Sequence, residues 1–260
     1  MLRLRRDSKT TMSMEQITAS VALNSLKEEH NFVEPDRGDL DDTSIEWRSG
    51  KPDYTKANLA FLKGKTQNHQ AGSLEEVVEN LVKKWEMEAS HKKNISQWTT
   101  IDHDNYCMQS NGGEILDGVK AFEIGNYNAL LKGCPAYEKY GLDDHFENSH
   151  DLFRNALVNG FPWEVLKVLC GPPNVMFTWR HWGEFTGQYR GRQGNGELVE
   201  MYGILRVTVN NDLKIQKIEA FFDGTTFLEA MEGKIDHELL RHGRTLLGDT
   251  SKPAIEKKKD

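Results

Sequence analysis

The stretch FPWEVLKVLCGPPNVMFTWRHWGEFTGQYRG (161–191), followed by ELVEMYGILRV (197–207) and KIQKIEAFFD (214–223), decides the fold of this chain. Its side chains alternate with period two, the signature of half-buried strands. Val175, Phe177, Trp179, His181 and Phe185 share one face, and Thr178, Arg180, Trp182, Glu184 and Thr186 the other. Val199, Met201, Leu205 and Val207 are opposed by Glu200, Tyr202, Ile204, Arg206 and Thr208. Ile218, Ala220 and Phe222 are opposed by Lys217, Glu219 and Phe221. Short turns at Pro172–Pro173–Asn174, GRQGNG and Asn210–Asn211–Asp212 join four strands into an antiparallel meander. Each strand has an apolar and a mixed face, and His181 is the one ionisable side chain on an otherwise apolar face. Gly203, inside a strand, predicts a bulge that bends the sheet.

Upstream the period changes to 3.6. SLEEVVENLVKKWEMEASHKK (73–93) opens with a capping box, Ser73 and Glu76, and carries Leu74, Val78, Leu81 and Trp85 on one stripe. Glu88 and His91 extend that stripe. A second helix is predicted from Asp117 through Leu130 to a stop at Gly133 and Pro135, and a third from Asp143 or Asp144 to Leu157. Helices first and sheet last define an α+β domain over residues 45–233. Residues 1–44, polar and without a sustained period, are expected to be mostly disordered. Residues 234–260 are expected to form a short helix at HELLRHGRTLLG (237–248) and a solvated tail.

The chain has 260 residues and a net charge of −7, with 33 Lys and Arg against 40 Asp and Glu. That balance argues against nucleic acid as a partner, which needs a basic footprint. No run of 18 apolar residues occurs, so no membrane span is expected, and the basic N-terminus lacks the apolar core of a signal peptide. A mean hydropathy of −0.66 fits polar ends around an aromatic-rich domain. Cys107, Cys134 and Cys170 form no CxxC pair, which suits a reducing cytoplasm and offers neither disulfide framework nor zinc cluster. Asp102–His103–Asp104, His145 and His150 make no metal-ligand spacing on a rigid element, so no metal is expected. GRQGNG joins two strands and opens no helix, so it is not a dinucleotide loop.

The four strands resemble the SnoaL-like group of the nuclear transport factor 2-like superfamily. Further segments resemble the plant and fungal pathogen-related protein family within it. They are WRSGKPDY (47–54), WEMEASHK (85–92), SNGG (110–113), GNYNALL (125–131) and RHWG (180–183). The resemblance implies a cone-shaped fold, a curved sheet wrapped by helices around a pocket. Relatives with that fold include polyketide cyclases, scytalone dehydratase, ketosteroid isomerase and limonene epoxide hydrolase, which work without a metal or organic cofactor. The His-x-Asp pair of the bacterial cyclases is replaced here by Ile218 and Ala220.

The candidate proton carriers are His181, Glu88 and Asp223, with burial expected to raise the Glu88 pKa. Trp85, His91, Tyr127, Trp179, Trp182, Tyr202 and Glu219 are the candidate ligand contacts. Each has a plainer account: His181 as a satisfied core histidine, Glu88 and His91 as a solvated helix end, Asp223 as a helix cap, and the mixed-face charges as a cross-strand ladder. Two functions follow. One is a cofactor-free cyclase, isomerase or dehydratase acting on a hydrophobic polyketide- or terpenoid-like metabolite. The other is a non-catalytic pocket protein binding such a ligand in stress or defence. A homodimer through the mixed sheet face is a third, weaker reading.

Overall fold

A computed structural model describes residues 13–30, 32–38, 40–139 and 145–235. The helix expected at 237–248 and the two chain ends lie outside the described residues. In chain order the elements are α1 (Met14–His30), α2 (Thr55–Gly64), α3 (Leu74–His91), β1 (Cys107–Ser110), β2 (Ile115–Asp117), α4 (Gly118–Ile124), α5 (Asn126–Leu131), α6 (Pro135–Lys139) and α7 (Phe146–Ala156). Then come β3 (Trp163–Cys170), β4 (Asn174–Phe185), β5 (Gln188–Tyr189), β6 (Arg192–Gln193), β7 (Glu197–Val209), β8 (Ile215–Phe222) and α8 (Gly224–Met231).

One curved sheet of six strands runs in the order β2-β1-β8-β7-β4-β3, with β5 and β6 forming a separate small hairpin. β4 and β7 pair along their length, from Asn174 opposite Thr208 to Phe185 opposite Glu197. The meander β3-β4-β7-β8 is the one read from the alternation. β1 and β2 were not: they are short, and β1 lies parallel to β8, a pairing between residues more than 100 positions apart that no local pattern encodes.

The helices differ in instructive ways. The stretch expected as one helix from Asp117 to Leu130 breaks at Gly125, whose φ of +84° no side chain adopts readily, and a Cβ there would meet the Phe146 ring at 2.8 Å. Pro135 begins α6 rather than ending a helix. The N-terminal segment contains α1, packed on α2. Its own capping box joins Ser13 and Gln16, with backbone-to-side-chain bonds of 2.9 and 3.2 Å in the two directions. Among the described side chains of that helix only Leu23 is buried, so its apolar stripe is faint in the sequence.

The core lies on the apolar sheet face, under α3, α4 and α5, and continues as a second cluster beneath α7 and α8. The opposite face is not an open ladder. Arg180 donates to Glu200 Oε1 at 2.7 Å and Glu164 Oε1 at 3.1 Å, all three being buried. The segment after α2 closes over them: Arg180 also donates to the Gly64 carbonyl at 2.8 Å, and the Thr66 and Gln67 amides donate to Glu164 at 2.8 and 3.2 Å.

The free edge of β3 is covered by α3. Val165 N donates to Glu79 at 3.0 Å and Val168 N to Glu75 at 3.4 Å, carboxylates one helical turn apart meeting amides on one strand edge. Gly203 marks no bulge. It pairs in register with Trp179 and Phe222, and the register shifts lie elsewhere. A Cβ on it would stand 2.5 Å from the Trp179 ring and 2.6 Å from the Phe221 carbonyl oxygen. The glycine gives the indole its place. Gly203→Ala is expected to destabilise the fold by about 1–3 kcal/mol, as overpacking does. An unchanged urea midpoint would refute that role.

Candidate functional site

Between the apolar sheet face and helices α2, α3, α5 and α7 lies a cavity of about 420 Å³. Its inner wall is the alternation of the strands made solid: Phe177, Trp179, Leu205, Val207, Ile218 and Phe222. His181 and Met201 continue that wall, and α3 supplies Val78, Val82 and Trp85. The Trp85 indole donates to the Tyr106 hydroxyl at 3.0 Å, which fixes the ring that it presents.

Polar side chains gather on the helical side. Tyr54, just before α2, donates its hydroxyl to Glu86 Oε2 at 3.3 Å, and its ring meets the His91 ring edge-on with centroids 5.8 Å apart. The Arg37 guanidinium lies over the Tyr54 ring, 3.9 Å from its centroid, and donates to Asn58 Oδ1 at 3.2 Å. Burial, followed by the Glu86 charge, pushes the Tyr54 phenol well above its ordinary value. Burial also lowers the His91 pKa; Glu86 opposes that shift, while Arg154 and Arg37 add to it.

Two further histidines are held neutral. His150 Nδ1 lies 3.0 Å from the Phe146 carbonyl oxygen, so that nitrogen carries the proton. Its Nε2 is therefore a lone-pair acceptor, buried and without a protein partner. The ring stacks on Phe146 at 3.8 Å and meets Tyr127 edge-on at 4.8 Å. Burial drives its pKa down to about 3, and does the same to His181, which bonds to the Phe161 backbone.

Of the residues singled out in the sequence, the structure brings His181, His91, Trp85, Tyr127 and Trp179 to the cavity. The others go elsewhere. Glu88 is fully buried on another side of α3, where its two oxygens accept from Thr99 N (2.6 Å), Thr99 Oγ1 (3.0 Å), Thr100 N (3.0 Å), Thr100 Oγ1 (2.6 Å) and Lys92 Nζ (2.9 Å). Burial alone would raise its pKa. The bonds from Thr100, Thr99 and Lys92 outweigh that and hold it below the ordinary value, the reverse of the expected shift.

Asp223 is exposed and caps α8, accepting from Thr226 N at 2.9 Å. Trp182, Tyr202 and Glu219 point to the outer sheet face, as the period of two requires. Trp182 lies against Arg180, Tyr202 donates to Glu200 at 3.4 Å, and Glu219 pairs with Lys217 at 3.0 Å. Tyr54, Glu86, Arg37 and His150 also line the cavity, beyond the residues expected from the sequence. Tyr54 and Glu86 did stand inside the segments WRSGKPDY and WEMEASHK; Arg37 lay in the stretch expected to be disordered. Among the described residues no three His, Cys, Asp or Glu side chains converge as a metal site, and no helix is long and apolar enough to cross a membrane.

The fold is α+β, and its cavity is apolar with a few convergent polar groups, the form that small-molecule pockets usually take. No family model matches the sequence. The pathogen-related protein of Hordeum vulgare is 34% identical over 188 residues, covering 70% of this chain and 80% of that protein. This chain belongs to the pathogen-related protein family. Similar solved structures include a SnoaL-like polyketide cyclase from Agrobacterium tumefaciens (12% identity, TM-score 0.30, covering 59% of this chain and 89% of that one). Another is a protein with a ketosteroid isomerase-like fold from Catenulispora acidiphila (9% identity, TM-score 0.33, 61% and 95% covered). A third is an NTF2-like protein of unknown function from Exiguobacterium sp. 255-15 (11% identity, TM-score 0.28, 48% and 79% covered).

Two stability predictions follow from these placements. Glu88→Ala leaves the buried Lys92 ammonium without its carboxylate and is expected to cost about 3–5 kcal/mol by chemical denaturation; a loss below about 1 kcal/mol would show that the contacts are incidental. His150 and His181 have folded pKa values depressed from 6.5 to about 3, so their contribution is full above pH 6.5 and lost as the pH falls towards 3. Stability should therefore decline from about pH 6 downwards, and His150→Phe should flatten that decline. An identical slope in the variant would contradict the neutral-histidine assignment.

Proposed function

We propose that this protein is an acid/base catalyst whose proton carriers are its own side chains, acting on a hydrophobic polyketide- or terpenoid-like metabolite by isomerisation or cyclisation. The observation that supports it most directly is the Tyr54–Glu86 pair set at the polar side of a cavity whose remaining walls are largely apolar. A carboxylate beside an apolar chamber can take a proton from carbon next to a carbonyl. The negative charge that develops on the carbonyl oxygen is balanced by the neighbouring Arg37 guanidinium, beside walls that are largely apolar. Tyr54, protonated throughout, keeps the carboxylate oriented.

The proton then returns to a different carbon of the same substrate. Alternatively the carbanion attacks a second carbonyl, forming one carbon–carbon bond while the new alkoxide takes the proton from Glu86. Both outcomes balance without a co-reactant. Glu86 thus takes the role first assigned to Glu88, two residues along the same helix.

A second reading, a non-catalytic carrier, is favoured by the uncharged state of His150, His181 and Tyr54: such a lining offers hydrogen bonds without a strong base. The two are separated by incubating the protein with hydroxylated polycyclic 1,3-diketones in deuterated water and following deuterium entry beside the carbonyl. Wild type should accelerate exchange, and Glu86→Gln should lower that rate by about 10²–10⁴-fold, with ligand affinity nearly unchanged. Exchange by the variant at the wild-type rate would overturn the catalytic role of Glu86. Binding without any acceleration would leave the carrier reading.

A further inference from the structure

The two ends of α2 are held very differently. At the C-terminal end a Cβ on Gly64 would stand 2.3 Å from the Trp182 indole nitrogen, the Gly64 carbonyl accepts from Arg180 at 2.8 Å, and Thr66 N and Gln67 N donate to Glu164. The buried apolar residues of the helix, Phe61 and Leu62, also lie towards that end. On the other side the chain is next fixed at Arg48, whose amide donates to the His91 carbonyl at 2.9 Å and whose Nε donates to the Lys92 carbonyl at 3.2 Å. Between Arg48 and Gly64, among the described residues, a single hydrogen bond reaches the wall of the cavity, from the Tyr54 hydroxyl to Glu86 at 3.3 Å. The other polar contacts that leave this stretch run to earlier residues: Lys51 to Asp41, Lys56 to Glu15 and Asn58 to Arg37.

Those earlier residues ride on α2 rather than anchor it. α1 packs on α2, Phe32 meets the Phe61 ring with centroids 5.9 Å apart, and among the described residues no backbone hydrogen bond joins 13–38 to the rest of the domain. Across the cavity α2 rests on Gly160, where a Cβ would come within 3.1 Å of Ala57 Cα; an alanine and a glycine have little side chain to interlock. The lining residues that are also exposed, Asp53, Arg154 and Val158, stand at the start of α2 and the end of α7. The cavity therefore meets solvent beside the loosely held end of α2.

We propose that α2, with α1 on its back, is a lid over the cavity: it pivots at residues 64–67, is latched by the Tyr54–Glu86 bond, and admits the ligand between its N-terminal end and α7. Segments with few buried contacts and no backbone bonds to their surroundings open locally, well below the free energy of global unfolding. Closure does two things at once. It shuts water out of the chamber, and it brings Glu86 the donor that orients its carboxylate. The inference rests on the reading that the cavity takes a small molecule, and adds how that molecule enters.

Amide hydrogen exchange of the full chain, followed by mass spectrometry, reads the opening without any ligand. A helix of 10 residues is marginal in water, so α2 unwinds when it lifts. Peptides covering 58–65 are expected to exchange about a hundredfold or more faster than those in β4, through a local opening with weak dependence on urea. Entry is read by stopped-flow fluorescence with the neutral dye N-phenyl-1-naphthylamine. Tyr54→Phe keeps the ring and removes the latch; it should raise the association and dissociation rates alike, each about tenfold, the effect of losing one hydrogen bond to a carboxylate. The dissociation constant should stay nearly the same, since the latch is lost from the free and the loaded protein equally. Amides in 58–65 as protected as those of β4, unchanged rates in Tyr54→Phe, or a change in dissociation alone would overturn the lid. The wild-type exchange pattern decides the matter even where the variant does not fold. Neither readout depends on Glu86 acting as a base: protected α2 amides beside active deuterium exchange would defeat the lid and keep the catalytic reading. Fast α2 exchange with no dye binding would sustain the pivot and defeat the small-molecule reading.

Discussion

Arg180, 4% exposed, sets its guanidinium between Glu164 and Glu200 and ties together three strands and the end of a helix. Buried ion pairs contribute little net stability, since desolvation cancels much of their attraction, but a broken one is costly. Their effect is positional. Arg180 fixes the register of β3, β4 and β7 from the outer face, so the same strands can leave a cavity on the inner face without collapsing into it. Its bond to the Gly64 carbonyl holds the C-terminal end of α2, whose start carries Tyr54 to the chamber. The outer charges are thus the counterpart of the inner void.

α3 completes the enclosure by dividing its faces among three tasks. Glu75 and Glu79 close the β3 edge, Glu88 anchors the following Thr99–Thr100 segment, and Val78, Val82, Trp85 and Glu86 line the cavity. A run so rich in Glu reads as a solvated surface, yet most of these carboxylates have a specific backbone or side-chain donor. Their role depends on angular position around a helix with 100° per residue, so Glu86 and Glu88, only two residues apart, serve unrelated ends.

The fold was largely legible because period-two alternation and capping boxes are local signals. The strands from Trp163 to Phe222 and the helix from Leu74 to His91 stand where those signals put them. What lay beyond reach was whatever depends on distant partners: β1 beside β8, the break at Gly125 imposed by Phe146, and α1, whose helix is settled by packing on α2. The candidate site was half legible. His181 and Trp179 followed from strand phase, which also sends Trp182 and Tyr202 to the opposite face. His150 carries no site signal in the sequence: its bond to the Phe146 carbonyl one turn back on α7 is local, but the burial of its ring against Phe146 and Tyr127 is not.

The sequence by itself determined the class of fold, the apolar inner face and the family, because periodicity and ordered motifs are properties of neighbouring residues. The tertiary structure alone decided which ionisable groups share the cavity. Tyr54 meets Glu86, and Arg37 lies over Tyr54, only through contacts between separate segments of the chain. Whether a carboxylate is raised, lowered or merely a cap is set by the donors around it in space. Glu88 shows the point: beside Lys92 at i+4, it is held ionised by four donors from Thr99 and Thr100 that no spacing along the chain reveals.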